Sequence, residues 1–194
     1  MSGTQSFICG KNKKPEGITP AVLMINPKND HNVGAAQRAC SCFGIKQVWW
    51  TGQRVSLEIE KGGRLPREER MKGFRDVELR QHDFPFEEFP NSTPVAIEVR
   101  ENSELLTEFV HPENPLYVFG PEDGSLPKQV LQHCHRFVVI PTRHCTNLAA
   151  AVYIVLYDRM LKMKLAGEDV RLFTPGEYEG RNWASEDEYM KALR

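Results

Sequence analysis

The chain has 194 residues, a formal net charge of −1 and an apolar fraction of 40%. That length suits one domain with a sizeable core, and no apolar run approaches the roughly 18–20 residues of a membrane-spanning helix. Met1–Gly10 lacks a basic stretch followed by an apolar one, so no secretory signal is read there and a cytoplasmic protein without membrane attachment is expected.

Residues 1–17 are polar, carry Lys11, Lys13 and Lys14, and read as a flexible arm. Ala21–Ile25 is a continuous apolar run, the pattern of a strand covered on both faces. Val33–Phe43 reads as a helix with Asn32 as N-cap and Gly44 just past its end. Gln47–Trp50 is the next strand. Val95–Val99 follows as a strand, then Ser103–Phe109 as a short helix. Leu116–Phe119 is a strand that enters the turn Gly120-Pro121-Glu122-Asp123-Gly124. Pro127–Gln132 reads as a short helix with proline in its first turn. Phe137–Ile140 is the last strand, and Asn147–Lys164 a long helix, apolar round most of its circumference from Leu148 to Leu156. Strands alternating with helices predict an α/β domain over 18–166 with a mostly parallel sheet flanked by helices. Residues 167–194 read as a polar C-terminal tail.

Residues 51–92 interrupt this alternation as a polar insertion. It holds Lys61, Arg64, Arg67, Arg70, Lys72, Arg75 and Arg80, diluted by Glu68, Glu69, Asp76 and Glu78. Mixed charge is usual on a solvated surface excursion. A phosphate-contacting loop is the sharper reading, and it would let a nearly neutral chain hold RNA through Arg64, Arg67 and Arg70. The cysteines, Cys9, Cys40, Cys42, Cys134 and Cys145, are odd in number and form no CxxC, which argues against a disulfide framework. His133-Cys134-His135 fits no zinc spacing, since neighbours on an extended segment face opposite ways. No metal is expected.

Three strand-to-helix connections carry the chemistry. Asn26–Arg38 joins the first strand to the first helix; Asn29, Asp30 and Asn32 favour turns and caps, and Arg38 can reach a phosphate or ribose. Phe119–Pro127 is a rigid acidic turn at the carboxyl end of a strand, where open α/β sheets bind ligands. It lacks GxGxxG and the P-loop lysine, which excludes a phosphate cradle and argues against a nicotinamide enzyme. Ile140–Leu148 places Thr146 or Asn147 at the head of the last helix as a cap.

In this order the three segments resemble the SPOUT superfamily, specifically its SpoU/TrmH branch of RNA ribose 2′-O-methyltransferases. The resemblance rests on Asn32-Val33-Gly34-Ala35 with Arg38 and Phe43-Gly44, on Phe119-Gly120-Pro121-Glu122 with Leu126, and on Ile140-Pro141 with Asn147. Ser125 stands in place of the family's usual glycine, and Cys145-Thr146 in place of its Ser-Leu. The resemblance implies a deep trefoil knot from about Leu116 onward, a homodimer packed through the first and last helices, and S-adenosyl-L-methionine bound in a bent form among three loops. The cofactor residues it implies are Ile97, Glu98, Gly120, Pro121, Glu122, Gly124, Ile140, Pro141, Cys145, Thr146 and Leu148. Arg38 takes the main catalytic role and contacts RNA, with Asn32, Glu122 and Asn147 holding the site. The substrate is then RNA, tRNA ahead of rRNA. A non-catalytic RNA-binding protein keeping the same fold is the alternative.

Overall fold

The computed structural model describes residues 5–6, 17, 19–55 and 73–170. The chain divides into two compact units, Met1–Leu161 and Lys162–Arg194. The first holds the sheet and every site residue described below. Eight strands form one sheet: β1 (Gln5–Ser6), β2 (Ala21–Met24), β3 (Gln47–Trp50), β4 (Glu78–Gln81), β5 (Thr93–Ile97), β6 (Glu104–Leu105), β7 (Pro115–Phe119) and β8 (Arg136–Val139). Their order is β1-β4-β3-β2-β7-β5-β8-β6. All neighbours run parallel except β1, which pairs antiparallel with β4 at two residues of the segment expected as an arm.

β2, β3 and β7 are buried at every position. That explains their unbroken apolar character, since a parallel sheet is covered on both faces. One face carries Met24, Trp50, Tyr117 and Phe119 beneath two helices, α1 (Asp30–Cys42) and the long helix Leu148–Leu165. The opposite face carries Leu23, Trp49, Leu116 and Val118, packed by Phe89, Leu126 and Val130. Single-turn helices Gly73–Asp76 (α2) and Lys128–Leu131 (α3) complete the set, so the long helix is α4. Among the described residues no helix is long and apolar enough to cross a membrane.

Three sequence expectations change. α1 starts at Asp30, because Asn29 and not Asn32 is the N-cap: its side chain accepts from His31 N. Asn32 lies inside the first turn, which frees its amide for another role. Ser103–Phe109, expected as a helix, contains β6 and a turn, with Leu106 N donating to Val139 O. Arg136 anchors this edge by donating to Glu104 at 2.6 and 2.5 Å. Finally, the end of the polar insertion supplies a sheet strand. β4 reads Glu-Leu-Arg-Gln, yet Arg80 and Gln81 are buried. Arg80 bonds Glu78 and lies over the Trp49 ring at 5.2 Å, and Gln81 donates to Gly52 O at 2.6 Å. Those partners offset part of the cost of burying polar groups that the sequence pattern places in solvent, while Arg80 Nε and Nη1 are buried with no hydrogen-bond partner among the described residues.

The register aligns the carboxyl ends of the strands. Met24 pairs with Trp50 and Phe119, and Ile97 with Phe119 and Val138. The loops after β2, β3, β5, β7 and β8 therefore leave the sheet along one edge. β7 lies between β2 and β5, although it follows both in the chain.

Candidate functional site

Along that edge lies a cavity of about 840 Å3. It is lined by residues 97–99, Leu105, 119–122, 124–125, 139–146, Leu148 and Ala151. Every residue singled out for the cofactor is among them: Ile97 and Glu98 after β5, Gly120, Pro121, Glu122 and Gly124 after β7, and Ile140, Pro141, Cys145, Thr146 and Leu148 between β8 and α4. The volume lies within the roughly 300–1,000 Å3 of small-molecule sites. Ile97, Val99, Leu105, Val139, Ile140 and Leu148 give it apolar walls, whereas Glu98 and Glu122 bring carboxylates. Glu98 also shapes the site, because its Oε2 accepts from Leu126 N at 2.8 Å and so ties the end of the Gly120–Leu126 loop to β5.

Behind Glu122 the three connections join in one hydrogen-bonded series. Asn147 Nδ2 donates to Asn32 Oδ1 at 3.0 Å, and Asn32 Nδ2 donates to Glu122 Oε1 at 2.6 Å. Glu122 also accepts from Lys28 N at 2.7 Å and Asn29 N at 3.2 Å. Asn147 meanwhile caps α4, its Oδ1 accepting from Ala149 N and Ala150 N at 2.9 and 3.2 Å. Each side chain suits its place. An asparagine amide offers a donor and an acceptor, so Asn147 can cap a helix with its oxygen and reach Asn32 with its nitrogen. The carboxylate of Glu122 accepts only, and it faces three donors near the positive end of α1.

A second clamp centres on Arg54, which sequence reasoning did not single out. Arg54 Nη1 donates to both Asp123 oxygens at 3.1 and 2.9 Å, and its Nε donates to Asn26 O at 3.1 Å. Lys28 Nζ lies 3.8 Å from the same carboxylate. The hydrogen bond from Arg54 holds the Asp123 carboxyl below its ordinary range. Asn26 adopts φ 46° and donates through its backbone to Thr51 Oγ1 at 3.0 Å. Gly52, at φ 78°, leaves room for it: a Cβ there would stand 2.3 Å from Asn26 Oδ1. The usable signal for Arg54 was its position just past the carboxyl end of β3.

Arg38 does not line the cavity. It sits half-buried on α1, about 9 Å along the axis from Asn32, close enough to the Cys42 thiol and the Tyr153 hydroxyl to act on both electrostatically. Phe43 packs edge-on against Tyr153 and Tyr157 at 6.3 and 6.4 Å, so this side of α1 faces α4. α4 exposes Ile154, Tyr157 and Leu161. Lys61, Arg64, Arg67, Arg70 and Lys72 lie outside the described residues. Of the other basic residues of the insertion, Arg75 is exposed and Arg80 is buried, which removes Arg80 as a phosphate contact.

A cavity with apolar walls, two carboxylates and Arg143 at the carboxyl edge of a parallel sheet, beside three connections bonded in series, defines an α/β class with its ligand site where open sheets bind ligands. The comparisons narrow the class. The SpoU rRNA Methylase family model matches residues 20–157, and the chain belongs to that family. Among solved structures, the A. aeolicus TrmH/SpoU tRNA modifying enzyme is similar with TM-score 0.64 and 20% identity, over 89% of this chain and 84% of that one. The SpoU methyltransferase AviRb from Streptomyces viridochromogenes, in complex with AdoMet, is similar with TM-score 0.58 and 17% identity, over 79% of this chain and 60% of that one. An AdoMet-bound rRNA methyltransferase from Sinorhizobium meliloti gives 0.60 and 16%, over 77% and 58%. No curated protein sequence matches the chain.

Proposed function

We propose that this protein methylates RNA with S-adenosylmethionine as methyl donor, and that the acceptor is a ribose 2′-hydroxyl of tRNA. The carrying observation is the cavity itself, where the loops of the second and third family segments meet the end of β5, while the first segment is tied to them behind Glu122 through Asn32 and Asn147. The residues present suit the donor. The apolar walls fit an adenine, Glu98 can accept from ribose hydroxyls, and backbone groups of the Gly120–Gly124 and Ile140–Thr146 loops supply the remaining polar partners. When bound, S-adenosylmethionine supplies a methyl group already activated by its sulfonium. The protein's task is then to orient the acceptor hydroxyl in line and to ease loss of its proton. Arg38 does the orienting: its guanidinium holds the hydroxyl and the adjacent phosphate, and its charge favours the developing alkoxide.

Arg38 lies below its own cavity, so a second copy completes the site in this reading. The exposed Ile154, Tyr157 and Leu161 stripe on α4, beside α1, is the surface that a homodimer would cover. The wedged position of β7 supports a knotted chain from Leu116 onward. Arg64, Arg67 and Arg70, which follow Arg54 in sequence, are the proposed phosphate contacts. tRNA is preferred because the solved tRNA modifying enzyme is matched over most of its length. The free thiols of Cys40, Cys42, Cys134 and Cys145 suit a reducing, cytoplasmic setting.

Cys145 provides the direct test. It is exposed and lines the cavity, whereas burial pushes the Cys134 thiol up to about 12 and raises Cys40 as well. Iodoacetamide at pH 8 should modify Cys145 ahead of Cys134 and Cys40, and S-adenosylmethionine should protect Cys145. Equal modification with and without the donor would place it elsewhere.

A further inference from the structure

A second buried series crosses from β7 to α4, outside the cavity lining. Tyr117 on β7 is fully buried, and its hydroxyl lies 2.6 Å from His111 Nδ1. His111 Nε2 lies 2.8 Å from Asp158 Oδ2 on α4. The side chains of His111 and Asp158 are 5% and 19% exposed. Burial raises the Tyr117 hydroxyl far above its ordinary range, so it keeps its proton. One imidazole tautomer then satisfies all three groups: Tyr117 donates to Nδ1, and Nε2–H donates to the Asp158 carboxylate. The ring is also held edge-on by Phe109 at 4.9 Å, and Arg136 covers Phe109 at 4.6 Å. None of Tyr117, His111 and Asp158 lines the cavity.

Their placement matters because both elements they tie lead to the site. From Tyr117 the chain runs up β7 to Glu122, a span of at most roughly 17 Å. From Asp158, α4 runs back to Asn147, a span of about 16 Å at 1.5 Å per residue. Both arms run from the tie to the cavity edge, so a tie at their base sets the height at which Asn147 meets Asn32. Sliding α4 by one residue, about 1.5 Å, would carry the 3.0 Å Asn147–Asn32 contact out of hydrogen-bond range. We propose that His111 is a positioning residue: it fixes the axial register of α4 against β7 and, through that register, the Asn147–Asn32–Glu122 series at the cavity.

The test compares His111→Phe, which keeps a ring and loses both hydrogen bonds, with His111→Gln, which keeps a donor and an acceptor. Tyr117→Phe removes one bond and serves if His111→Phe does not fold. Two readouts apply below the melting temperature. Hydrogen exchange of the Ala149 and Ala150 amides reports the head of α4 without reference to any ligand. Calorimetric titration with S-adenosylmethionine reports the cavity, and this arm rests on the proposed function. His111→Phe (or Tyr117→Phe) should lose about tenfold in protection at Ala149 and Ala150, on the scale of a buried bond left unmade. Donor affinity should fall with it, and His111→Gln should restore both. Wild-type protection in the folded His111→Phe or Tyr117→Phe protein overturns the proposal, as does His111→Gln behaving like His111→Phe. Lost protection in a protein whose wild type binds no donor supports the positioning role and refutes the cofactor reading alone.

Discussion

Replacing Asn32 with alanine removes the centre of the series that joins the three loops. Two bonds go: the 2.6 Å donation to Glu122 and the 3.0 Å acceptance from Asn147. A hydrogen bond to a carboxylate contributes about 1.5–3 kcal/mol and a neutral one about 1. Glu122 is exposed, so screening favours the lower end for the first bond. Alanine recovers about 0.5 kcal/mol as a better helix former in the first turn of α1. The net loss is about 2 kcal/mol, which for a unit of this size lowers Tm by roughly 4–8 °C. Differential scanning calorimetry measures the shift, and donor titration should show weakened binding because Glu122 and the head of α4 are no longer tied. Asn32→Asp sharpens the test, since it sets a second carboxylate against Glu122. It should be worse than Asn32→Ala at neutral pH and recover as acid protonates one of the pair. A Tm within a degree of wild type together with unchanged donor affinity would show that the series is an incidental contact.

Arg38→Ala should abolish methyl transfer while leaving donor affinity within about twofold, because Arg38 lies outside the cavity; turnover at the wild-type rate would remove Arg38 from the chemistry. Asp123 contributes stability through a carboxyl held low by Arg54. That contribution is present above the unfolded value of about 3.9 and is lost as pH falls through the lower folded value. Thermal melts of Asp123→Asn should therefore show a shallower decline than wild type below about pH 4; parallel profiles would contradict the clamp. Ile154→Glu should yield monomers by light scattering with impaired methyl transfer, and a fully active monomer would remove the need for a second copy.

What could be read from the sequence follows from which residues meet which surroundings. β2, β3 and β7 were legible because burial on both faces leaves only apolar side chains or ones with local partners. β4 and β6 were not, since Arg80 and Gln81 are buried against Glu78, Trp49 and Gly52 O, partners no periodicity reveals. The start of α1 was misplaced because Asn29, Asp30 and Asn32 are all capping residues. Only the fold shows that Asn29 caps while Asn32 turns to Glu122 and Asn147. At the site, the second and third segments singled out in the sequence line one cavity, and the first reaches them only through Asn32. The Arg54–Asp123 clamp was harder to read, because its partners lie 69 residues apart in the chain and neither belongs to a periodic pattern.

Nucleoside analysis tests most directly whether the protein transfers a methyl group to ribose in RNA. Unmodified tRNA is incubated with the protein and S-adenosylmethionine labelled in its methyl group, then digested to nucleosides and resolved by mass spectrometry. Label is expected in a 2′-O-methylnucleoside, and absent when the Arg38→Ala chain replaces the wild type. Label on a base, or none in any RNA offered, would contradict that transfer.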